Sequence, residues 1–225
     1  MPETLLAIET ATAVCSAAAL RSGKVFTRSL DGGRLHDARL LEMTGEVLEA
    51  AGASRSELVA VAVSAGPGSY TGLRIGVSTA KGIAEALSIP LIAVPSLSAC
   101  AEASKVQGSV LAAFPSRRGE VFAAVVDTGD SVRAGFEAAM AGSPSEVWSL
   151  LPDHNLTVVG PAADRFSGLA TDIRASDCSA EGALRIAARL LADGHFVDPE
   201  LFEPYYLKSF VAGTPTHSVF ARLPF

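Results

Sequence analysis

The sequence predicts an α/β protein of two unequal lobes, residues 1–105 and a reduced second lobe with an extended tail at residues 106–225. Three observations carry that expectation. Apolar runs of strand length alternate with helical periodicity through the first 105 residues, and a sparser version of the alternation follows. Within the first stretch, a glycine-rich turn joins a continuously apolar run to a helix.

Residues 5–9, 16–21 and 24–30 read as three strands in quick succession, with Ser22-Gly23 as the hairpin turn between the last two. An amphipathic helix is expected over 35–51, because Leu40, Met43 and Val47 recur at helical spacing, as do Leu41 and Leu48. Asp37, Glu42, Glu46 and Glu49 are left to face water, and Gly52 ends the helix. Residues 58–65 (LVAVAVSA) are apolar throughout, as a strand covered on both faces requires. A helix over 73–87 follows the glycine-rich turn, then a short strand at 91–94 and a helix from Ser96. In the second lobe, strands are expected at 110–114, 121–126 and 156–159, and helices at 145–151 and 181–192. Residues 128–131 and 142–144 read as linkers, and the tail beyond Phe210, with Gly213, Pro215 and Pro224, as extended chain. The order β-β-β-α-β-α-β-α is that of one lobe of a ribonuclease-H-like unit, so the predicted class is the actin-like ATPase fold.

With 49% hydrophobic and 19% charged residues, the chain is globular, not disordered. No apolar run reaches the roughly 18 residues of a membrane-spanning helix. Met1-Pro2-Glu3-Thr4 leads into an apolar strand without a basic region, so no signal peptide and no membrane partner are expected. Cys15, Cys100 and Cys178 form no CxxC pair and read as core thiols, which suits a reducing cytoplasm. A net charge of −6 without a dense Lys/Arg run excludes a chain that holds nucleic acid tightly by itself.

The loop Gly66-Pro67-Gly68-Ser69-Tyr70-Thr71-Gly72 demands unusual backbone dihedrals. Its amides form an anion-cradle candidate at a helix N-terminus, and a tight turn for close packing is the plainer reading. It is not a P-loop, since no Lys follows the last glycine, and Thr71 breaks the dinucleotide fingerprint. In the helix beyond, Gly72, Gly76, Ala80 and Ala84 make a stripe of small residues. Glycine inside a helix costs about 1 kcal/mol against alanine, so Gly76 requires a close neighbour. That neighbour lies either in the same domain or on another subunit.

The run 66–76, GPGSYTGLRIG, closely resembles the signature GPGSFTGLRIG of the TsaB (YeaZ) family, with Tyr70 the one change. The resemblance continues in order along the chain. Leu6-Ala7-Ile8-Glu9-Thr10 stands for the family's LAIDT, Cys15-Ser16 for its CS, and His36 precedes Leu40-Leu41 as its histidine precedes a leucine pair. Ala80-Lys81-Gly82 fits AKG, residues 117–122 (RRGEVF) fit RRGEVY, and residues 203–208 (EPYYLK) fit a closing EPxYLR.

The resemblance implies a non-catalytic scaffold subunit in threonylcarbamoylation of the adenosine 3′ of the tRNA anticodon. Its partners would be a homologous catalytic subunit, TsaD, a small P-loop ATPase, TsaE, and a second copy of itself. Pairing through the first two helices makes His36, Leu40, Gly72, Arg74, Gly76 and Ala80 the candidate partner contacts. Gly66, Gly68, Ser69, Arg117 and Arg118 are the candidate anion contacts. No cofactor of its own is expected, a nucleotide is expected only at a subunit interface, and tRNA only through the complex.

Chemistry is argued against residue by residue. Catalytic relatives bind metal through an HxxxH pair, in which spacing of four puts both imidazoles on one helix face; here Leu40 follows His36 at that spacing. His154, His195 and His217 are isolated, so no metal site is expected. Active actin-like ATPases place a short acidic residue and a glycine-containing turn after the first strand. This chain has Glu9-Thr10-Ala11-Thr12 there, and Pro115 where the second lobe's Asp belongs. Ser64 and Ser69 lie outside any G-x-S-x-G. Two alternatives, an ATP-dependent phosphotransferase of the same superfamily and a glycoprotease-like metallopeptidase, are thereby disfavoured.

Overall fold

Two five-stranded sheets with one shared strand order make up the lobes, in a computed structural model that describes residues 3–31, 36–128 and 136–208, the side chains of 36–38 and 137 excepted. The first sheet contains β1 (Thr4–Glu9), β2 (Val14–Arg21), β3 (Lys24–Asp31), β4 (Leu58–Ser64) and β5 (Leu91–Val94), in the order β3-β2-β1-β4-β5. β2 is antiparallel to both β1 and β3, whereas β4 is parallel to both β1 and β5. The second contains β6 (Gly108–Pro115), β7 (Val121–Thr128), β8 (Met140–Gly142), β9 (Thr157–Val159) and β10 (Asp172–Arg174), in the order β10-β9-β6-β7-β8. Its senses are the same: β7 antiparallel to β6 and β8, β9 parallel to β6 and β10. Replacing β1–β5 by β6–β10 converts one sheet into the other. This duplicated ribonuclease-H-like topology is the actin-like architecture expected from the sequence.

β1 sits at the centre of its sheet and is buried along its whole length, which is why TLLAIE shows no polar alternation. One face of the first sheet is covered by α1 (His36–Ala50) and α2 (Tyr70–Leu87), whose Leu40, Met43, Val47, Val77, Ala80 and Ala84 pack on Leu6, Ile8, Val61 and Val63. Full burial of such a Leu or Val side chain contributes about 1.5–3 kcal/mol. The other face takes α5 (Ala180–Ala192), with Ala183, Leu184 and Ala187 against Leu5, Ala7, Ala60 and Ala62. Alanines on both surfaces bring helix and sheet close together.

The helices cross between lobes. α3 (Ser96–Ser104) contributes Leu97, Cys100 and Ala101 to the core built on Val110, Ala112 and Phe114 of the second sheet. α5, from the second half of the chain, covers the first sheet, and a Cβ on its Gly182 would stand 2.0 Å from the Ala99 carbonyl oxygen of α3. Each sheet is thus built from one stretch of chain, while α3 and α5 each pack across to the other stretch's sheet. α4 (Pro144–Ser149) closes the far face of the second sheet with Val147 and Trp148. It starts at a capping box between Ser143 and Glu146.

The three-residue edge strands β8 and β10 are not among the predicted elements. α2 starts three residues earlier than predicted, since the Ser69 side chain caps the Gly72 amide. The tail beyond Phe210 and most of the linker at 128–131 lie outside the described residues.

Candidate functional site

Three segments meet where β1 and β4 end: the turn after Glu9, the glycine-rich loop into α2, and a strap at residues 195–208 that returns from α5. Glu9 is fully buried. Its carboxylate accepts the Ala11 amide at 2.6 Å and the hydroxyl of Ser64, the last residue of the parallel neighbour β4. Burial lifts the Glu9 carboxyl to about 7, and hydrogen bonds from Ser64, Ala11 and Thr10 offset only part of that. The same burial, with the charge of Glu9 nearby, lifts the Cys15 thiol to about 11. Glu9 thus has local hydrogen-bond partners, as a structural residue would, and no hydrogen-bonded or ion-paired cation among the described residues.

The glycine-rich loop lies directly on that turn. The Ser69 amide donates to the Ala11 carbonyl at 2.7 Å, the Gly66 amide to the Ser96 hydroxyl at 2.9 Å, and the Gly72 amide to the Ser69 hydroxyl at 3.2 Å. Cβ atoms would stand 2.5 Å from the Ala11 carbonyl at Gly68 and 2.0 Å from the Thr10 carbonyl at Gly72. The loop is glycine-rich because the first turn occupies the side-chain volume. Of the candidate anion contacts in this loop, the amides of Gly66 and Ser69 are engaged by protein acceptors, as is that of Gly72.

The stripe has a neighbour in its own chain. A Cβ on Gly76 would meet the Thr10 hydroxyl oxygen at 2.1 Å, and Ala80 and Ala84 lie in the core under the first sheet. Gly72, Gly76 and Ala80, expected as partner contacts, therefore lie buried within their own lobe. Leu40, another expected partner contact, is core at 1% exposure, whereas its neighbour Leu41 is 65% exposed. Both leucines sit in helical rows in the sequence, but only the Leu40 row with Met43 and Val47 points inward at its first residue. His36 opens α1, and its side chain lies outside the described residues. Arg74 is exposed, with its guanidinium 5.4 Å over the Tyr70 ring and Nη1 donating to the Tyr70 hydroxyl at 3.1 Å.

Arg117 and Arg118 project from the β6–β7 turn, both exposed. The turn is tight: the Ser116 amide donates to the Glu120 carbonyl at 2.8 Å and the Glu120 amide to the Arg117 carbonyl at 3.1 Å. It holds Arg118 at φ +56°, a region unusual for a residue with a side chain.

The strap was missed as a functional element, although its EPYYLK motif was visible. The Tyr205 amide donates to the Ala65 carbonyl at 2.7 Å, and the Tyr205 carbonyl lies 2.2 Å from where a Gly66 Cβ would be. Gly66 has φ +122°, so glycine is required there twice over. Lys81 of α2 ties the strap by donating to the Phe202 carbonyl at 3.0 Å. Tyr206 stacks at a tilt on Tyr70, ring centroids 4.8 Å apart, Leu207 packs against the second-lobe core, and Lys208 pairs with Glu120. The strap therefore touches both lobes.

Comparison with known proteins points one way. The sequence profile of the family described as "TsaD: tRNA N6-adenosine threonylcarbamoyltransferase" matches residues 30–175. The tRNA threonylcarbamoyladenosine biosynthesis protein TsaB of Escherichia coli (strain K12) is 34% identical over 221 residues, covering 92% of this chain and 96% of its own. The protein of the same name from Haemophilus influenzae is 30% identical over 222 residues, covering 92% and 94%. Among solved structures, YeaZ from Pseudomonas aeruginosa superposes with a TM-score of 0.81 at 30% identity, covering 91% of this chain and 100% of that one.

Proposed function

Because the chain belongs to the TsaB (YeaZ) family, we propose that it acts in tRNA threonylcarbamoyladenosine biosynthesis as a non-catalytic scaffold subunit. Its partners in this reading are a TsaD-like catalytic subunit, a TsaE-like P-loop ATPase and a second copy of itself. tRNA is held mainly by the assembled complex, in the cytoplasm, and a nucleotide binds only at a subunit interface.

The observation that carries the non-catalytic half is the filled junction after β1. There a buried Glu9, its carboxyl lifted to about 7 by burial, sits beside the carbonyls of Thr10 and Ala11, which lie against Gly72 and Gly68. A phosphate-binding turn needs amides and space at that point, and here the protein's own backbone takes both. Leu40 in the core supports the same reading, since a second metal-binding imidazole has no counterpart at its position. The partner face in this reading is the exposed side of α1, centred on Leu41.

The test is genetic complementation. Cells depleted of their own TsaB-type protein are supplied with this chain, and threonylcarbamoyladenosine in digested tRNA is measured by mass spectrometry. Restoration of the modified nucleoside is expected. Full expression of the chain without restoration contradicts the proposal.

A further inference from the structure

We infer that the surface formed by Tyr70, Arg74, Tyr206, Arg117, Arg118 and Lys208 is where this chain itself touches RNA, its cations on phosphates and its tyrosine pair against an unstacked base. The inference rests on the role in tRNA modification proposed above and adds a specific contact surface to it.

The chain carries a net charge of −6, yet contacts through Tyr70, Tyr206 and Glu120 link Arg74, Lys208 and the Arg117-Arg118 turn to one strap. Tyr206 and Lys208 lie two residues apart, with Leu207 packed inward between them, so both project outward from the strap. Tyr206 leads through Tyr70 to Arg74, and Lys208 leads through Glu120 to the Arg117-Arg118 turn. Arg165 adds a fifth positive charge to that turn by donating to the Glu120 carbonyl at 2.7 Å. Glu120 is paired with Lys208, the Glu146 carboxylate caps Ser143, and Glu203 is the acidic neighbour of Tyr206.

Cations alone would fit an acidic protein surface equally well. The tyrosines decide for single-stranded RNA. Tyr206 remains 36% exposed on an already stacked Tyr70, whose ring is itself covered by a guanidinium. Aromatic side chains set among cations are the recurring arrangement for unpaired bases, which stack on rings while phosphates meet arginines. Four cations are too few for tight binding against a net negative chain, so the surface adds to a partner's grip instead of replacing it.

The full-length chain, isotope-labelled, is titrated with a short unstructured RNA oligonucleotide at low salt and followed by amide chemical shifts. Shifts are expected to cluster at 70–74, 116–120 and 206–208 and to diminish as salt rises. The variant Arg117→Ala/Arg118→Ala, which alters only exposed side chains, should fold normally and bind roughly five-fold or more weakly. Tyr206→Ala should lower affinity to a similar degree. Shifts that are absent, that centre elsewhere, or that a polyglutamate peptide reproduces with the same loss in the arginine variant overturn the inference. A wild-type chain that restores modified tRNA yet gives no such shifts overturns this inference alone and leaves the scaffold role standing.

Discussion

Gly76 of α2 and Thr10 of the first turn are so close that any side chain at residue 76 would stand 2.1 Å from the Thr10 hydroxyl oxygen. That oxygen is buried without a hydrogen-bond partner among the described residues, so this contact is steric and not polar. Gly76→Leu is expected to overpack the junction, at a cost of about 1–3 kcal/mol or more. In a chain of this size each kcal/mol lowers the melting temperature by roughly 2–4 °C. Thr10→Ala should recover part of the loss in Gly76→Ala, because it removes the nearest atom and sacrifices no hydrogen bond. Thermal melting of the single and double variants checks this; unchanged melting in Gly76→Leu contradicts it.

Leu41 offers the opposite case on the same face of the lobe. It is 65% exposed, so Leu41→Asp should change stability by no more than about 0.5 kcal/mol. If α1 presents the partner face, the variant loses self-pairing and fails to co-purify with the catalytic subunit. Light scattering and pull-down on one preparation report both, and an unaltered partner profile removes Leu41 from the interface.

Glu9 predicts a pH dependence with a definite sign. Its carboxyl is held at about 7 in the folded protein against an ordinary value of 4.5, so the folded state retains a proton that the unfolded chain releases. Stability is therefore greatest from this group below pH 4.5, falls as pH rises towards 7, and levels off above. The interval corresponds to a loss on the order of 3 kcal/mol. Glu9→Gln keeps the shape without the charge and should flatten that part of the profile, becoming the more stable protein at pH 8. Denaturant melts at several pH values test it, and parallel profiles for the two proteins would rule it out.

The isolated chain should neither hydrolyse ATP nor retain a stoichiometric transition metal. Glu9 with its hydrogen bonds to Ser64 and Ala11, Pro115 at the second turn, and buried Leu40 motivate this expectation. Phosphate release and elemental analysis decide it. Magnesium-dependent turnover above a protein-free blank, or one tightly bound metal per chain, is the contrary result.

Local pattern made much of the fold legible. β4 is one unbroken apolar run, α2 follows a glycine loop, and α1 shows Leu40, Met43 and Val47 in one row, so each declares itself within its own segment. What stayed hidden depends on distant residues. Small side chains at Gly72, Gly76 and Ala80 suit a domain interior as well as a subunit interface, and their neighbours Thr10 and the first sheet are visible only in the fold. The requirement for glycine at residue 66 comes from Tyr205, far along the chain. α5 is plainly amphipathic, but nothing in its periodicity says that it crosses back to the first sheet. At the site, the arginines of the β6–β7 turn were visible as a motif, whereas their link to the tyrosines through Lys208 and Glu120 required the fold.

The measurement closest to the central claim is in vitro threonylcarbamoylation with purified TsaD-like and TsaE-like partners, tRNA and the threonylcarbamoyl adenylate donor. The scaffold account predicts that modified tRNA accumulates only when this chain is added in proportion to the catalytic subunit. It also predicts that Glu9→Gln supports a rate within about two-fold of wild type, well short of the 10²–10⁴-fold loss that removing a general acid or base brings. Product formed by this chain alone, or a reaction indifferent to its omission, would contradict the account.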